Sequence, residues 1–167
     1  HMHHFEIDVD VTGQKKMLTR LPTFPLNTDG IDPSAVNVLI HDFKITCYDD
    51  AIAVKWCNGG FKYCKCSSNM MIRDGIVKLG VGLTIGSVPP NDNTNCVRNI
   101  TFQNVNMEYP LKGIYVKTNR GTHGDGFISN IYYKNITMRS PVWWPIYIGP
   151  QQQKQPDGKG EGCMNYP

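Results

Sequence analysis

The chain has 167 residues, a formal net charge of +3, 40% hydrophobic residues and six cysteines. One domain over residues 1–167 with an ample core is expected, and no apolar run approaches the length of a membrane span. So small a charge, without a basic run or a stacked aromatic platform, argues against nucleic acid as a partner.

Taken in chain order, the sequence repeats one phrase four times. Asn37-Val38-Leu39-Ile40-His41-Asp42 is followed by Asn69-Met70-Met71-Ile72-Arg73-Asp74, Asn99-Ile100-Thr101-Phe102-Gln103-Asn104 and Asn130-Ile131-Tyr132-Tyr133-Lys134-Asn135. The phrases start 32, 30 and 31 residues apart, a period that marks a solenoid. Apolar alternation within each phrase predicts strands rather than helices. The recurrent Asn is expected at a turn, its amide bonded to backbone or to the Asn of the next coil.

A second strand is predicted after each phrase, at Ala51–Lys55, Gly82–Gly86, Gly113–Lys117 and Pro145–Gly149, with a shorter copy at Gly30–Asp32. Five copies in register imply an all-β, single-stranded, right-handed parallel β-helix of about five coils, clearest over residues 27–149. The apolar alternates, from Val38, Ile40, Ile52 and Val54 through to Ile146 and Ile148, are expected to fill its bore. Neither end carries an evident cap, so the chain reads as a fragment of a longer solenoid.

Six cysteines allow fifteen complete pairings, and their spacing does not suit a zinc site. A metal site at His1, His3 and His4 is not expected. Asn99-Ile100-Thr101 and Asn135-Ile136-Thr137 match the N-glycosylation pattern, although each Asn also occupies a repeat position that favours Asn. Cysteines and sequons together predict a secreted, extracellular protein.

Aligning the second strands on Ile31, Ile52, Leu83, Ile114 and Ile146 puts Asp29, Asp50, Val81, Lys112 and Trp144 in one column. Strands lie about 4.8 Å apart, so Asp29, Asp50 and the adjoining Asp49 are expected to gather at one end of the sheet. Ala53, Thr84, Tyr115 and Tyr147 form an outward column, and Lys55, Gly86, Lys117 and Gly149 another. Such a face suits an extended polymer. Clustered carboxylates either hold a hard cation or divide acid and base roles by pushing one another's pKa values apart, as glycoside hydrolysis requires.

Asn27-Thr28-Asp29-Gly30, Tyr48-Asp49-Asp50-Ala51-Ile52, Gly80-Val81-Gly82 and Gly113-Ile114-Tyr115-Val116-Lys117-Thr118 together resemble the successive motifs of glycoside hydrolase family 28, the pectin-cleaving β-helices. The resemblance implies an inverting hydrolase of a pectin-like polysaccharide that works without metal or cofactor. Asp49 matches its general acid, and Asp29 and Asp50 its water-activating pair. Lys117 matches a lysine that contacts a substrate carboxylate, with Tyr115, Lys55, Asn27 and Trp144 as further substrate-binding candidates. A monomer is expected, as the central part of a longer catalytic domain.

Three positions depart from the family pattern. Val81 stands where polygalacturonases carry His, Tyr115 where they carry Arg, and Tyr48 where they carry Gly. Val has no donor and Tyr lacks the charged fork of Arg, which predicts a preference for a less charged backbone than homogalacturonan. Arg120 and His123, in the following loop, read first as polar solvated surface and second as replacements for the missing groups. The competing readings are a carbohydrate-binding β-helix that has lost catalysis and a calcium-dependent lyase.

Overall fold

In a computed structural model, the structure describes residues 1–11, 27–57, 64–89, 94–119 and 126–150. Among these residues nine strands follow one another: β1 (Met2–Asp8), β2 (Val36–Cys47), β3 (Asp50–Val54), β4 (Ser67–Leu79), β5 (Gly82–Val88), β6 (Asn95–Glu108), β7 (Ile114–Thr118), β8 (Gly126–Arg139) and β9 (Ile146–Pro150). They alternate between two sheets, in the orders β1-β2-β4-β6-β8 and β3-β5-β7-β9, and every pairing is parallel. Long strand, short strand and return to the next long strand form one turn of a parallel β-helix.

From β2 to β8 the chain closes three turns, fewer than the five coils that the repeats suggested. The shortfall lies at the start, where the Gly30–Asp32 copy shrinks to a single bridge between Ile31 and Ile52. Among the described residues no helix is long and apolar enough to cross a membrane.

The Asn phrase is explained by the corners. Asn37, Asn69, Asn99 and Asn130 all have left-handed backbone, with φ of 62°, 57°, 55° and 53°; so do Asp42, Asp74, Asn104 and Asn135, five residues on. Asn and Asp tolerate this region better than other side chains. Each long strand therefore bends twice, and the phrase is the straight run between two corners.

The amides then stack. Asn69 donates to Asn37, Asn99 to Asn69 and Asn130 to Asn99, each at 3.1 Å. Along the other corner Asn104 donates to Asp74 and Asn135 to Asn104, both at 2.9 Å. Asn99 and Asn135, the two sequon residues, are thus members of the ladders.

Between the sheets lies one apolar bore in which Ile40, Ile52, Val54, Ile72, Leu83, Ile85, Ile100 and Phe102 are wholly buried. Phe102 stacks on Tyr133 of the next level at 4.9 Å, and the Tyr133 hydroxyl donates to the Leu83 carbonyl at 3.4 Å. Ile146 and Ile148, expected inside, are 58% and 73% exposed, because β9 is the last strand of its sheet and no described strand stacks on its far side. Disulfides join Cys57 to Cys64 and Cys66 to Cys96, the second linking neighbouring coils.

Candidate active site

The site is built at the start of the short sheet. Ile52 pairs with Leu83, Leu83 with Ile114 and Ile114 with Ile146, and the column Ala53-Thr84-Tyr115-Tyr147 follows as the repeats predicted. One step earlier the register slips. Asp50 pairs with Gly82 across a bulge, not with Val81. This extra residue, of a kind that re-aims side chains, was not visible in the repeat.

Two glycines make the slip possible. Gly80 and Gly82 have φ of 62° and 85°, a region that L side chains rarely adopt. A Cβ on Gly80 would strike the Asp49 carbonyl and the Cys47 sulfur, and one on Gly82 the backbone of Lys112 and Gly113. Between them Val81 donates its N–H to the Asp49 carbonyl at 2.8 Å and buries its side chain.

Asp49 is held by its own turn. One carboxylate oxygen accepts the Asn27 N–H at 2.8 Å and the other the Asp50 N–H at 2.9 Å. Asn27, a candidate substrate ligand, thus contributes a backbone donor from left-handed geometry (φ 58°). The Cys47 thiol donates to the Asp49 carbonyl at 3.2 Å, and burial pushes that thiol up to about 12, so it stays protonated.

Asp50 is almost wholly enclosed, with 1% exposure. The Thr84 hydroxyl donates to one of its oxygens at 2.6 Å, and the Lys117 ammonium to the other at 2.7 Å. Lys117, expected on a substrate carboxylate, is therefore paired with a carboxylate of the chain itself. Lys55 lies 3.5 Å from Asp32.

Electrostatics separates the three acids. Burial, with the nearby charges of Asp49 and Asp50, raises Asp29 to about 7. Asp49 is also raised, by burial and by Asp50, against the two backbone donors and Lys117, which pull it down. A buried carboxyl beside like charges favours its neutral form. The arrangement places two carboxyls with raised pKa values beside a third that is bound by an ammonium. Among the described residues no group of three or more His, Cys, Asp or Glu side chains is arranged to hold a metal ion.

The outward column is not an open face. Ala53, Thr84 and Tyr115 are buried, and both Lys112 and Lys117 lie over the Tyr115 ring, at 4.0 and 4.6 Å from its centroid. Trp144, 42% exposed, stacks between Trp143 and Tyr147, at 4.4 and 5.4 Å. Thr84 and Lys112 were not singled out as site residues, although they stand in the very columns the repeat defines, which was the available signal. Arg120 and His123 lie outside the described residues. A cavity of about 540 Å³ opens elsewhere, on the long sheet, lined by Glu6, Asp42, Lys44, Asp74 and Asn106 among others. Its charges are spent on one another, Lys44 on Glu6 at 2.5 Å and Asp74 on Arg73 and Asn104.

The family model for glycosyl hydrolases family 28 matches residues 1–162. A probable polygalacturonase of Arabidopsis thaliana is 37% identical over 123 residues, 73% of this chain and 24% of that protein. An endo-polygalacturonase of Pectobacterium parmentieri is 29% identical over 141 residues, 84% of this chain and 32% of the relative. A probable exopolygalacturonase C of Aspergillus terreus is 31% identical over 140 residues, covering 83% and 30%. The chain spans about a quarter to a third of the length of these relatives. No solved structure gives a significant match.

Proposed function

We propose, since the chain belongs to glycosyl hydrolases family 28, that it is the central part of an inverting hydrolase of pectin-like polysaccharides. The observation that carries this reading is the unequal treatment of three neighbouring carboxyls: Asp50 is countered by Lys117, while Asp29 and Asp49 are both pushed toward their protonated forms.

Inversion needs an acid on the leaving oxygen and a base on a water at the opposite face of the sugar. Asp49, with its raised pKa and a carboxylate fixed by two backbone donors, is the acid. Asp50 takes the proton from the attacking water, its charge balanced by Lys117 and its other oxygen bonded by the Thr84 hydroxyl. Asp29 completes the water site; protonated below about 7, it orients the water by hydrogen bonding and leaves the proton transfer to Asp50. Lys55 and Trp144 belong to the sugar-binding surface, whereas Tyr115, buried beneath Lys112 and Lys117, supports it from below. The disulfides suit an extracellular protein.

The test uses the full-length protein on polygalacturonate, methyl-esterified pectin and rhamnogalacturonan. New reducing ends, a first product of inverted anomeric configuration and insensitivity to chelator are expected. An unsaturated, ultraviolet-absorbing product would establish the lyase instead, and binding of all three polymers without any product would establish a binding module.

A further inference from the structure

Two members of the amide columns are followed by a residue that the columns do not explain. Two places after Asn37, Asn69, Asn99 and Asn130 stand Leu39, Met71, Thr101 and Tyr132, paired side by side from β2 to β8. Two places after Asp42, Asp74, Asn104 and Asn135 stand Lys44, Ile76, Asn106 and Thr137, also in register. These positions accept aliphatic, aromatic, charged and amide side chains, so the fold asks for no hydroxyl there. Left-handed corners account for Asn99 and Asn135; they do not account for Thr101 and Thr137. Each threonine completes Asn-Ile-Thr, the acceptor for an N-linked glycan.

The columns leave room for the sugar. Asn99 and Asn135 are both exposed, with φ of 55° and 50°. Asn99 donates one hydrogen to Asn69 at 3.1 Å, and Asn135 donates one to Asn104 at 2.9 Å. A primary amide carries two such hydrogens, and among the described residues no protein group takes the second of either. In a stack of like amides donor and acceptor point opposite ways, so the column uses the hydrogen anti to the carbonyl. Glycosylation replaces the other one. A secondary amide settles with its new carbon beside the carbonyl oxygen and its remaining hydrogen opposite, as in a peptide group. A modified Asn therefore offers its neighbours the same donor and the same acceptor.

We propose that Asn99 and Asn135 carry N-linked glycans and that both residues keep their places in the amide columns once modified. The donor is an oligosaccharide joined through its anomeric carbon to a lipid pyrophosphate. The bond from that carbon to the pyrophosphate oxygen breaks, a bond from the amide Nδ2 to the carbon forms, and Nδ2 gives up one proton. Transfer precedes folding, because Ile100, between Asn99 and Thr101, is wholly buried in the finished coil and Thr101 is paired on both sides. The columns then close around amides already modified. Both sugars stand on corners of the long sheet, whereas the three acids lie at the start of the short one, so the carboxylates stay open to substrate.

This inference draws on the extracellular destination proposed above and not on the hydrolase chemistry. The full-length protein and its Thr101→Val and Thr137→Val variants are produced in a eukaryotic host and recovered from both medium and cells. Peptide-N-glycosidase in heavy-oxygen water, followed by trypsin, should convert Asn99 and Asn135 to labelled Asp in the peptides spanning residues 99–112 and 135–139. Each Val variant should lose the label at its own site alone. An unlabelled Asn99 or Asn135 in the wild type overturns the assignment at that residue. Retention of the columns is read from thermal unfolding. Glycosylated wild type and the Val variants should melt within about 2 °C of one another. Enzymatic removal of the sugar leaves a carboxylate with no hydrogen to donate, and should lower the melting temperature by more than that. A wild type melting well below its Val variants, or a carboxylate form as stable as the amide, overturns the retained columns. Labelled protein held back in the cells would strike the extracellular destination and leave the assignment standing.

Discussion

Lys117 on β7 and Asp50 on β3 form an ion pair of 2.7 Å although they are separated by 67 residues and by a whole intervening strand, β5. Thr84 on that intervening strand bonds the other oxygen of the same carboxylate. Three successive coils are thereby tied to one acid. Both partners are buried, so Lys117→Met should destabilise the protein by about 3–5 kcal/mol at neutral pH, as expected when a buried charge loses its counter-ion. Denaturant unfolding of both proteins at pH 7 checks this, and a loss below about 1 kcal/mol, the size of an exposed pair, would sink it.

Asp29 makes stability depend on pH. Its carboxyl is raised from 3.8 in the reference state to about 7 in the fold, so the native state holds a proton that the unfolded chain releases. The contribution is full below about pH 4 and is lost as pH rises through about 7. Asp29→Asn should flatten this part of the melting-temperature profile and raise the melting temperature above pH 7. A profile unaltered by the substitution would refute the assignment.

Catalysis should show the same proton. With Asp29 and Asp49 required in protonated form and Asp50 as carboxylate, kcat/KM should decline as pH rises through about 7. Asp49→Asn keeps the shape but cannot donate, so it should lower kcat by at least about 10²–10⁴-fold, the usual contribution of a general acid. Polymer binding should persist. Near-normal turnover in this variant would mean that the acid lies elsewhere.

The ladder predicts a graded response at one residue. Asn99 donates to Asn69, accepts from Asn130, and has left-handed backbone. Asn99→Ala loses both bonds and strains the corner, for about 1–3 kcal/mol at this exposed position. Asn99→Gly loses the bonds but fits the backbone and should fall between Ala and wild type. Thermal unfolding of the three proteins, produced without glycosylation, separates the two components; an Ala variant as stable as wild type would show that the amides contribute nothing.

The repeat made the solenoid legible because alternating apolar residues such as Ile52, Leu83 and Ile114 have only one register that buries them all. The gathering of Asp29, Asp49 and Asp50 followed from that register. Three features did not. The bulge at Asp50 depends on two positive-φ glycines, and Gly80 and Gly82 do not announce how far the pairing slips. Burial of Tyr115 depends on lysines that fold over it, Lys117 from its own strand and Lys112 from the segment just before, which period-two patterning cannot express. The engagement of Lys117 with Asp50 reaches across two strand spacings, where a column argument considers only neighbours on one face.

The two ladders also govern how coils of this kind can change length. The interval from first corner to second is the same in all four phrases, Asn37 to Asp42, Asn69 to Asp74, Asn99 to Asn104 and Asn130 to Asn135, whereas the coils themselves measure 32, 30 and 31 residues. One residue inserted between the corners would shift an amide column out of step and turn residues such as Ile100 and Phe102 from the bore toward water. Residues added to the arcs that close each turn meet neither obstacle. The amide columns therefore act as a ruler for growth, and insertions and deletions should collect in the arcs beside the short sheet, the part of the coil that carries the carboxylates.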